Sequence, residues 1–124
     1  MNTLKNKIQL LGHLGGQPEV RTTQNGQKMA RLRVATNETY RNAAGEKVTY
    51  TQWHTCVAWG KTADIAEQFL HKGSEVMLEG RLQYREYVDK DGHQRTSAEI
   101  TIANLLLMDK KTHTESASYE VAQA

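Results

Sequence analysis

The sequence predicts a small all-β barrel that carries one helix, and three observations lead to this prediction. Apolar and polar residues alternate with a period of two in several segments, as in strands that face a core on one side. Turn signals rich in glycine and asparagine separate these segments. A single segment near the middle has helical spacing instead. With 124 residues, the chain is long enough for one domain and needs no covalent crosslink to bury a core.

The first half of the chain contains three predicted strands. The first covers residues 4–14 and ends at the break formed by Gly15 and Gly16. The second covers residues 28–40 and follows Asn25-Gly26, the strongest hairpin signal in the chain. The third covers residues 48–60 and follows a polar loop.

The second half begins with the helix and continues with two strands. Residues 62–73 have apolar side chains at helical spacing, with Thr62 as the expected N-cap and Gly73 as the expected end. Alternation returns over 75–88, and residues 93–108 are predicted to form a last strand pair or one long strand. Five strands with one helix between the third and the fourth match the oligonucleotide/oligosaccharide-binding barrel (OB-fold), a five-stranded Greek-key barrel.

Composition sets further limits on the protein. We predict that residues 1–108 form the barrel domain and that the polar residues 109–124 form a short disordered tail. No apolar run approaches the length of a membrane span, and the N-terminus has no targeting character. Cys56 is the single cysteine, which excludes an internal disulfide and is compatible with a reducing compartment. The net charge of +2 is too small to identify a partner.

Aromatic and basic side chains are interleaved at the outward positions of the predicted strands. These positions are Arg31 and Arg33 on the second strand, Trp53 and Trp59 on the third, and Arg81, Arg85 and Tyr87 on the fourth. Tyr40 has the parity of the inward Leu32, so we expect a bend to turn it outward. Aromatic rings stack on exposed bases and arginines bind phosphates, so this mixture predicts sequence-tolerant binding of single-stranded nucleic acid.

Three segments also resemble a known family. They are NKIQLLGHLGGQPEVR, ATNETY and QWHTCVAWGKTADIAEQFLHKGSEVMLEGRL, and the likeness extends over residues 4–108. Together they are similar to the bacterial single-stranded DNA-binding protein (SSB) family. The resemblance implies an OB-fold that binds and protects single-stranded DNA in replication, repair or recombination. It also implies a homotetramer, with a dimer as the alternative, in the cytoplasm at the nucleoid, with no enzymatic activity, cofactor or metal.

The resemblance assigns roles to individual residues. The family's stacking aromatics fall on Tyr40, Trp53, Trp59 and Tyr87, the first and last of which are tryptophan in the best-known members. Its phosphate-facing basic residues fall on Lys7, Arg21, Lys61, Lys72 and Arg85. His54 matches a position near a subunit interface. Arg31 and Arg33 are additions of this chain. The family commonly ends in an acidic tip that recruits other proteins, whereas this chain ends DKKTHTESASYEVAQA, so the resemblance does not imply recruitment through the tail.

Other classes of function remain as alternatives. An OB-fold protein-interaction module, such as a primosomal accessory factor, would use Trp53 and Trp59 in a subunit interface. An RNA or oligosaccharide binder would use the same fold, and salt-insensitive affinity would favour the sugar. An enzyme is disfavoured. Gly60-Lys61-Thr62 lacks the earlier glycine of a phosphate-binding loop, Cys56 reads as an inward core residue, and the five histidines have no ligand spacing.

Overall fold

The computed structural model describes residues 4–108 and the backbone of residues 120–123. The described residues form seven strands and one helix. In chain order these are β1 (Ile8–Leu14), β2 (Glu19–Thr22), β3 (Lys28–Arg41), β4 (Lys47–Trp59), α1 (Lys61–Phe69), β5 (Glu75–Val88), β6 (Gln94–Leu107) and β7 (Glu120–Gln123). Among these residues, no helix has the length and apolar character needed to cross a membrane.

Five of the strands close into a barrel. Neighbouring strands follow the order β1-β5-β6-β4-β3, and β1 pairs with β3 to complete the circle. Only the β4–β6 pair is parallel among the pairings of the described strands. At the closure β1 passes so close to β3 that a Cβ on Gly12 would lie 2.2 Å from the carbonyl oxygen of Ala35. The predicted five-stranded barrel, with its helix between the third and fourth barrel strands, is therefore confirmed.

The core fills the barrel with the inward side chains of alternating strand positions. Leu32, Cys56, Leu78 and others are almost fully buried there, and Ala63 and Ala66 of α1 contribute to the same cluster. The inward position predicted for Cys56 is confirmed. Its burial raises the pKa of the thiol to about 12, because a low-dielectric surrounding disfavours the thiolate.

The helix differs from the prediction at both ends. It begins at Lys61, with Gly60 as the N-cap residue at φ 59° and without a side-chain capping bond, so Thr62 is a buried residue of the first turn. It ends at Phe69 rather than near Gly73, because Leu70 takes an extended conformation and is buried in the core. Burial of the Leu70 side chain therefore ends the helix earlier than the glycine signal indicated.

Two strand pairs extend beyond the barrel as ribbons. The β3–β4 ribbon turns at residues 42–46 and the β5–β6 ribbon turns at residues 89–93. Residues of inward parity become exposed once the ribbon leaves the barrel, and this exposes Tyr40 (51%) and Tyr84 (69%). The register of β3 and β4 runs without a bulge from Met29 opposite Trp59 to Arg41 opposite Lys47. The bend predicted at Tyr40 is therefore wrong, and this ring lies on the opposite face of the ribbon from Trp53.

Two short strands were not predicted. β2 pairs with β3 across the Asn25-Gly26 turn, so the hairpin signal was correct but its first strand is only four residues long. β7 pairs with β6 at residues 104–106, where β6 has no pairing to β4 and offers an open backbone edge. β7 lies within the segment predicted as a disordered tail, and residues 109–119 of that segment lie outside the described residues.

Candidate nucleic-acid interface

One continuous surface is formed by the outward side chains of β3, β4, β6 and β5, and we call it the outer face. The register places Arg33 opposite Thr55, Thr55 opposite Glu99, and Glu99 opposite Gln83. These four residues form one row across the strands. Because side chains alternate between the two faces of a strand, the residues two positions before or after them form further rows on the same face. The predicted site residues on the outer face are Arg31, Arg33, Trp53, Trp59, Arg81, Arg85 and Tyr87. The structure therefore brings together on one surface the residues that the alternation placed outward.

Trp53 lies in the middle of a set of close contacts on the outer face. Its indole is 51% exposed, and the Arg33 guanidinium carbon lies 5.1 Å from the ring centroid. On the β1–β2 loop, a Cβ built on Gly15 would lie 2.4 Å from Cζ3 of the indole. The ring is thus held by a backbone that only glycine can bring so near, and it still presents half of its surface to solvent.

Trp59 stands at the other end of β4 on the same parity. It is 41% exposed, lies opposite Met29 on β3, and Met29 lies opposite Arg21 on β2. Arg21 therefore shares a row with this indole, as a phosphate-binding cation beside a stacking ring would. The two tryptophans are separated by the outward residues Thr55 and Val57.

A buried acid joins two arginines on the outer face. Glu99 Oε2 accepts a hydrogen bond from Nε of Arg85 at 3.0 Å and lies 3.9 Å from an Nη of Arg31. The Glu99 side chain is only 11% exposed, whereas that of Arg85 is 50% exposed. Arg31 reaches this carboxylate from β3 across β4. Arg85 also lies 5.3 Å from the centroid of the Tyr87 ring, which is 40% exposed.

Sequence reasoning missed Glu99. Its parity is outward, and this was readable from the alternation of Ala98 and Ile100. Its partners were not readable, because they meet only through the parallel β4–β6 pairing and the β5–β6 ribbon.

Tyr40 belongs to a separate aromatic group on the other face of the β3–β4 ribbon. Its ring meets Tyr50 edge to face, with centroids 5.9 Å apart. The Tyr50 hydroxyl donates to the Glu38 carboxylate at 3.0 Å. This hydrogen bond raises the pKa of Tyr50, because it favours the protonated hydroxyl, and repulsion between the carboxylate and a phenolate adds to the effect. Of the predicted stacking residues, Tyr40 is therefore the one that the structure separates from the outer face.

The other predicted phosphate-binding residues lie outside the contacts described above. Arg21, Lys61, Lys72 and Arg81 are exposed, and they make no ion pair within the part of the chain that the structure describes. The backbone N–H of Lys72 donates to Oε1 of Gln17, which ties the loop after α1 to the β1–β2 loop. Lys7 is different, because its ammonium lies 2.8 Å from Glu79, and this pairing lowers the pKa of that carboxyl.

His54 lies on the inward-parity face of β4 where the ribbon leaves the barrel. Its Nε2 is hydrogen-bonded to the Thr36 hydroxyl at 2.9 Å, and the side chain is half-buried. This contact orients the ring.

The β5–β6 turn brings together three groups of metal-ligand type. Asp89, Asp91 and His93 place ligand atoms within 4.8 Å of one another. Asp89 accepts hydrogen bonds from the backbone N–H groups of Asp91 and His93 and from Nε of Arg95. The Arg95 bond is the main reason that the pKa of Asp89 is lowered. These contacts stabilise the turn and account for the cluster.

Comparisons with known proteins place the chain among DNA-binding relatives. The model of the single-strand binding protein family matches residues 5–108. Single-stranded DNA-binding protein 1 of Chlorobaculum tepidum is 42% identical over 118 residues, which cover 92% of this chain and 73% of the relative. A single-stranded DNA-binding protein of Neisseria meningitidis is 46% identical over 103 residues, and the match spans only 59% of that relative.

Solved structures give the same result for the fold. A Plasmodium falciparum SSB in complex with ssDNA superposes with a TM-score of 0.77 at 29% identity, covering 84% of this chain and 95% of that one. A deletion mutant of the single-stranded DNA binding protein from Thermus aquaticus has a TM-score of 0.75 at 24% identity, covering 86% of this chain and 52% of that one. At this identity, the similarity to the Thermus aquaticus protein supports the fold and nothing further.

Proposed function

Because the chain belongs to the single-strand binding protein family, we propose that it binds single-stranded DNA with little dependence on sequence. The observation that carries this proposal is the pair of tryptophans on β4, each about half exposed and each with a neighbouring arginine, Arg33 over the ring of Trp53 and Arg21 in the row of Trp59. A ring that served only the core would be covered. Stacking of a base on such a ring contributes about 1–3 kcal/mol and tolerates every base, because all four have a π-face.

In the proposed mechanism, aromatic rings bind the bases and basic side chains bind the phosphates. Bases stack on Trp53, Trp59 and Tyr87 of the outer face, and Tyr40 contacts a segment of DNA that passes around the β3–β4 ribbon. The phosphates follow the cations on and around this surface, which are Arg21, Arg33, Lys61, Lys72, Arg81 and Arg85. Arg31 and Lys7, which are paired with acidic neighbours, also contribute to this path. One barrel of this kind covers about 4–16 nucleotides.

The wider role follows from the binding mode. A protein that stacks unpaired bases competes with hairpins and shields the strand, which suits replication, repair and recombination. We propose a homotetramer in which His54 lies near a subunit contact, and a cytoplasmic protein without enzymatic activity. Measurement of the mass in solution tests the tetramer, and a dimer or a monomer would contradict it.

The experiment that tests DNA binding is a titration of the intrinsic tryptophan fluorescence with oligo-dT at several salt concentrations. We expect strong quenching, with log affinity falling against log salt by about 0.7 for each neutralised phosphate. A blunt duplex of equal length is the control, because its bases are already stacked and should quench weakly. Absence of quenching and of binding would contradict the proposal and favour a subunit-interface role for the tryptophans.

A further inference from the structure

A shallow groove of about 220 Å³ lies beside Trp53 at the edge of the outer face. The groove is lined by the Trp53 indole, by Gly15 and Gly16 of the β1–β2 loop, and by four polar side chains. These side chains are Gln17, Glu19, Arg31 and Arg33. The groove thus offers room for one nucleobase against an aromatic wall, with charged groups of both signs at its rim.

The charged groups at this rim are not paired with each other. Glu19 lies directly opposite Arg31 in the β2–β3 register, yet within the described residues its carboxylate makes no ion pair or hydrogen bond. Arg31 lies 3.9 Å from Glu99, beyond hydrogen-bond distance, and its buried Nε has no hydrogen-bond partner there. Among the same residues, the only specific contact of the Arg33 guanidinium is with the Trp53 ring.

Guanidinium donors and a carboxylate acceptor thus lie next to each other at the groove, since Glu19 and Arg31 are directly opposed on paired strands. An arginine fork binds two neighbouring acceptors, and guanine offers O6 and N7 in that arrangement. A carboxylate binds donors, and guanine offers N1–H and the N2 amine on its Watson–Crick edge, which is open in a single strand. Adenine and thymine have no two neighbouring acceptors beside a donor pair, and cytosine has the neighbouring acceptors N3 and O2 but only its N4 amine as donor, so guanine alone offers an acceptor pair beside a donor pair.

We propose that this groove is a guanine-preferring subsite, in which the base lies against Trp53 with its polar edges toward the arginines and Glu19. The inference rests on the proposed binding of single-stranded DNA and adds a selective position to an otherwise tolerant surface. Its consequence is a fixed register, because a strand can slide along the rings until a guanine occupies the groove.

The test uses oligo-dT in which one central thymidine is replaced by guanosine, adenosine, cytidine, inosine or 7-deazaguanosine. A single guanine avoids four-stranded structures. We expect the guanine oligonucleotide to bind at least about fivefold more tightly than the adenine, cytosine and all-thymine forms. Inosine lacks the N2 amine and 7-deazaguanosine lacks N7, so each should lose most of this preference.

Two variants separate the groove from general charge effects. Glu19→Gln removes the charge and replaces one of the two acceptor oxygens with an NH2 donor, so it should reduce the ratio of guanine to thymine affinity to nearly one. Glu46→Gln is the matched control, because it removes the same charge at the tip of the β3–β4 ribbon, and it should keep the ratio. Equal affinity for all bases with oligo-dT binding intact would overturn the subsite alone, and so would a preference that survives Glu19→Gln. Absence of all binding would overturn the proposed function and the subsite with it.

Discussion

The backbone of Gly15 supports the indole of Trp53 at a distance that no other residue permits. A Cβ at this position would lie 2.4 Å from Cζ3 and 2.6 Å from Cη2, well inside van der Waals contact. The two residues come from the β1–β2 loop and from β4, so their contact ties the loop to the outer face. The orientation of the ring therefore depends on the absence of a side chain in the loop.

Gly15→Ala should displace the indole and weaken binding to oligo-dT by up to about 1–3 kcal/mol, the contribution of one stacked base. The matched control is Gly16→Ala, because a Cβ at Gly16 meets no atom within 4 Å and neither glycine has a positive φ. Titration of both variants under identical salt conditions checks the prediction. Equal affinity of the two variants would mean that the indole tolerates displacement or does not bind DNA.

Two tyrosines on β5 permit a comparison of the two faces of one strand. Tyr87 has outward parity and contacts Arg85, whereas Tyr84 has inward parity and is 69% exposed where the ribbon leaves the barrel. Tyr87→Ala should lower the affinity for oligo-dT by about 1 kcal/mol or more, and Tyr84→Ala should leave it nearly unchanged. Fluorescence anisotropy with labelled oligo-dT measures both. A larger loss for Tyr84→Ala would place the DNA on the other face of the ribbon.

Much of the barrel could be predicted because alternation is a local property. Alternate positions of a strand point to opposite faces, so the pattern that buries Leu32 and Leu78 also predicts which positions point outward, as Trp53 and Arg85 do. This alternation can be read directly from the sequence. Tyr40 shows the limit of such reasoning. Its ring is exposed because the β3–β4 ribbon extends beyond the barrel. No pattern in the sequence of β3 marks the residue at which the barrel ends.

Contacts between distant segments could not be predicted from the sequence. Glu99 meets Arg31 only because β4 and β6 pair in parallel, and the groove beside Trp53 requires the β1–β2 loop to fold over β4. Gly15 is marked in the sequence only as a break between strands. Its role as a support for the indole depends on closure of the barrel by the pairing of β1 with β3.

Cys56 provides a test of core integrity. Its pKa of about 12 lies above the unfolded value of about 8.5, so the stability that it contributes is complete below about pH 8.5 and declines as pH rises toward 12. We expect a thiol reagent at pH 8 to label the folded protein only at the rate of unfolding. The free energy of unfolding should fall less between pH 8 and pH 10 in Cys56→Ala than in the parent, as denaturant titrations will show. Rapid labelling of the folded protein would contradict the buried position.

Glu99 places a negative charge on a surface proposed to bind a polyanion, where it neutralises part of the charge of Arg31 and Arg85. Glu99→Gln should therefore bind oligo-dT more tightly and steepen the salt dependence, by up to about 0.7 in slope for each additional phosphate that the arginines neutralise. The same change should lower the free energy of unfolding, because Arg31 is left partly buried without a counter-charge. Glu86→Gln is the control, since Glu86 has the opposite parity on β5 and contacts Gln94 instead. Weaker binding by Glu99→Gln, with Glu86→Gln unchanged, would contradict this prediction. It would show that Glu99 orients the arginines for DNA binding rather than neutralising part of their charge.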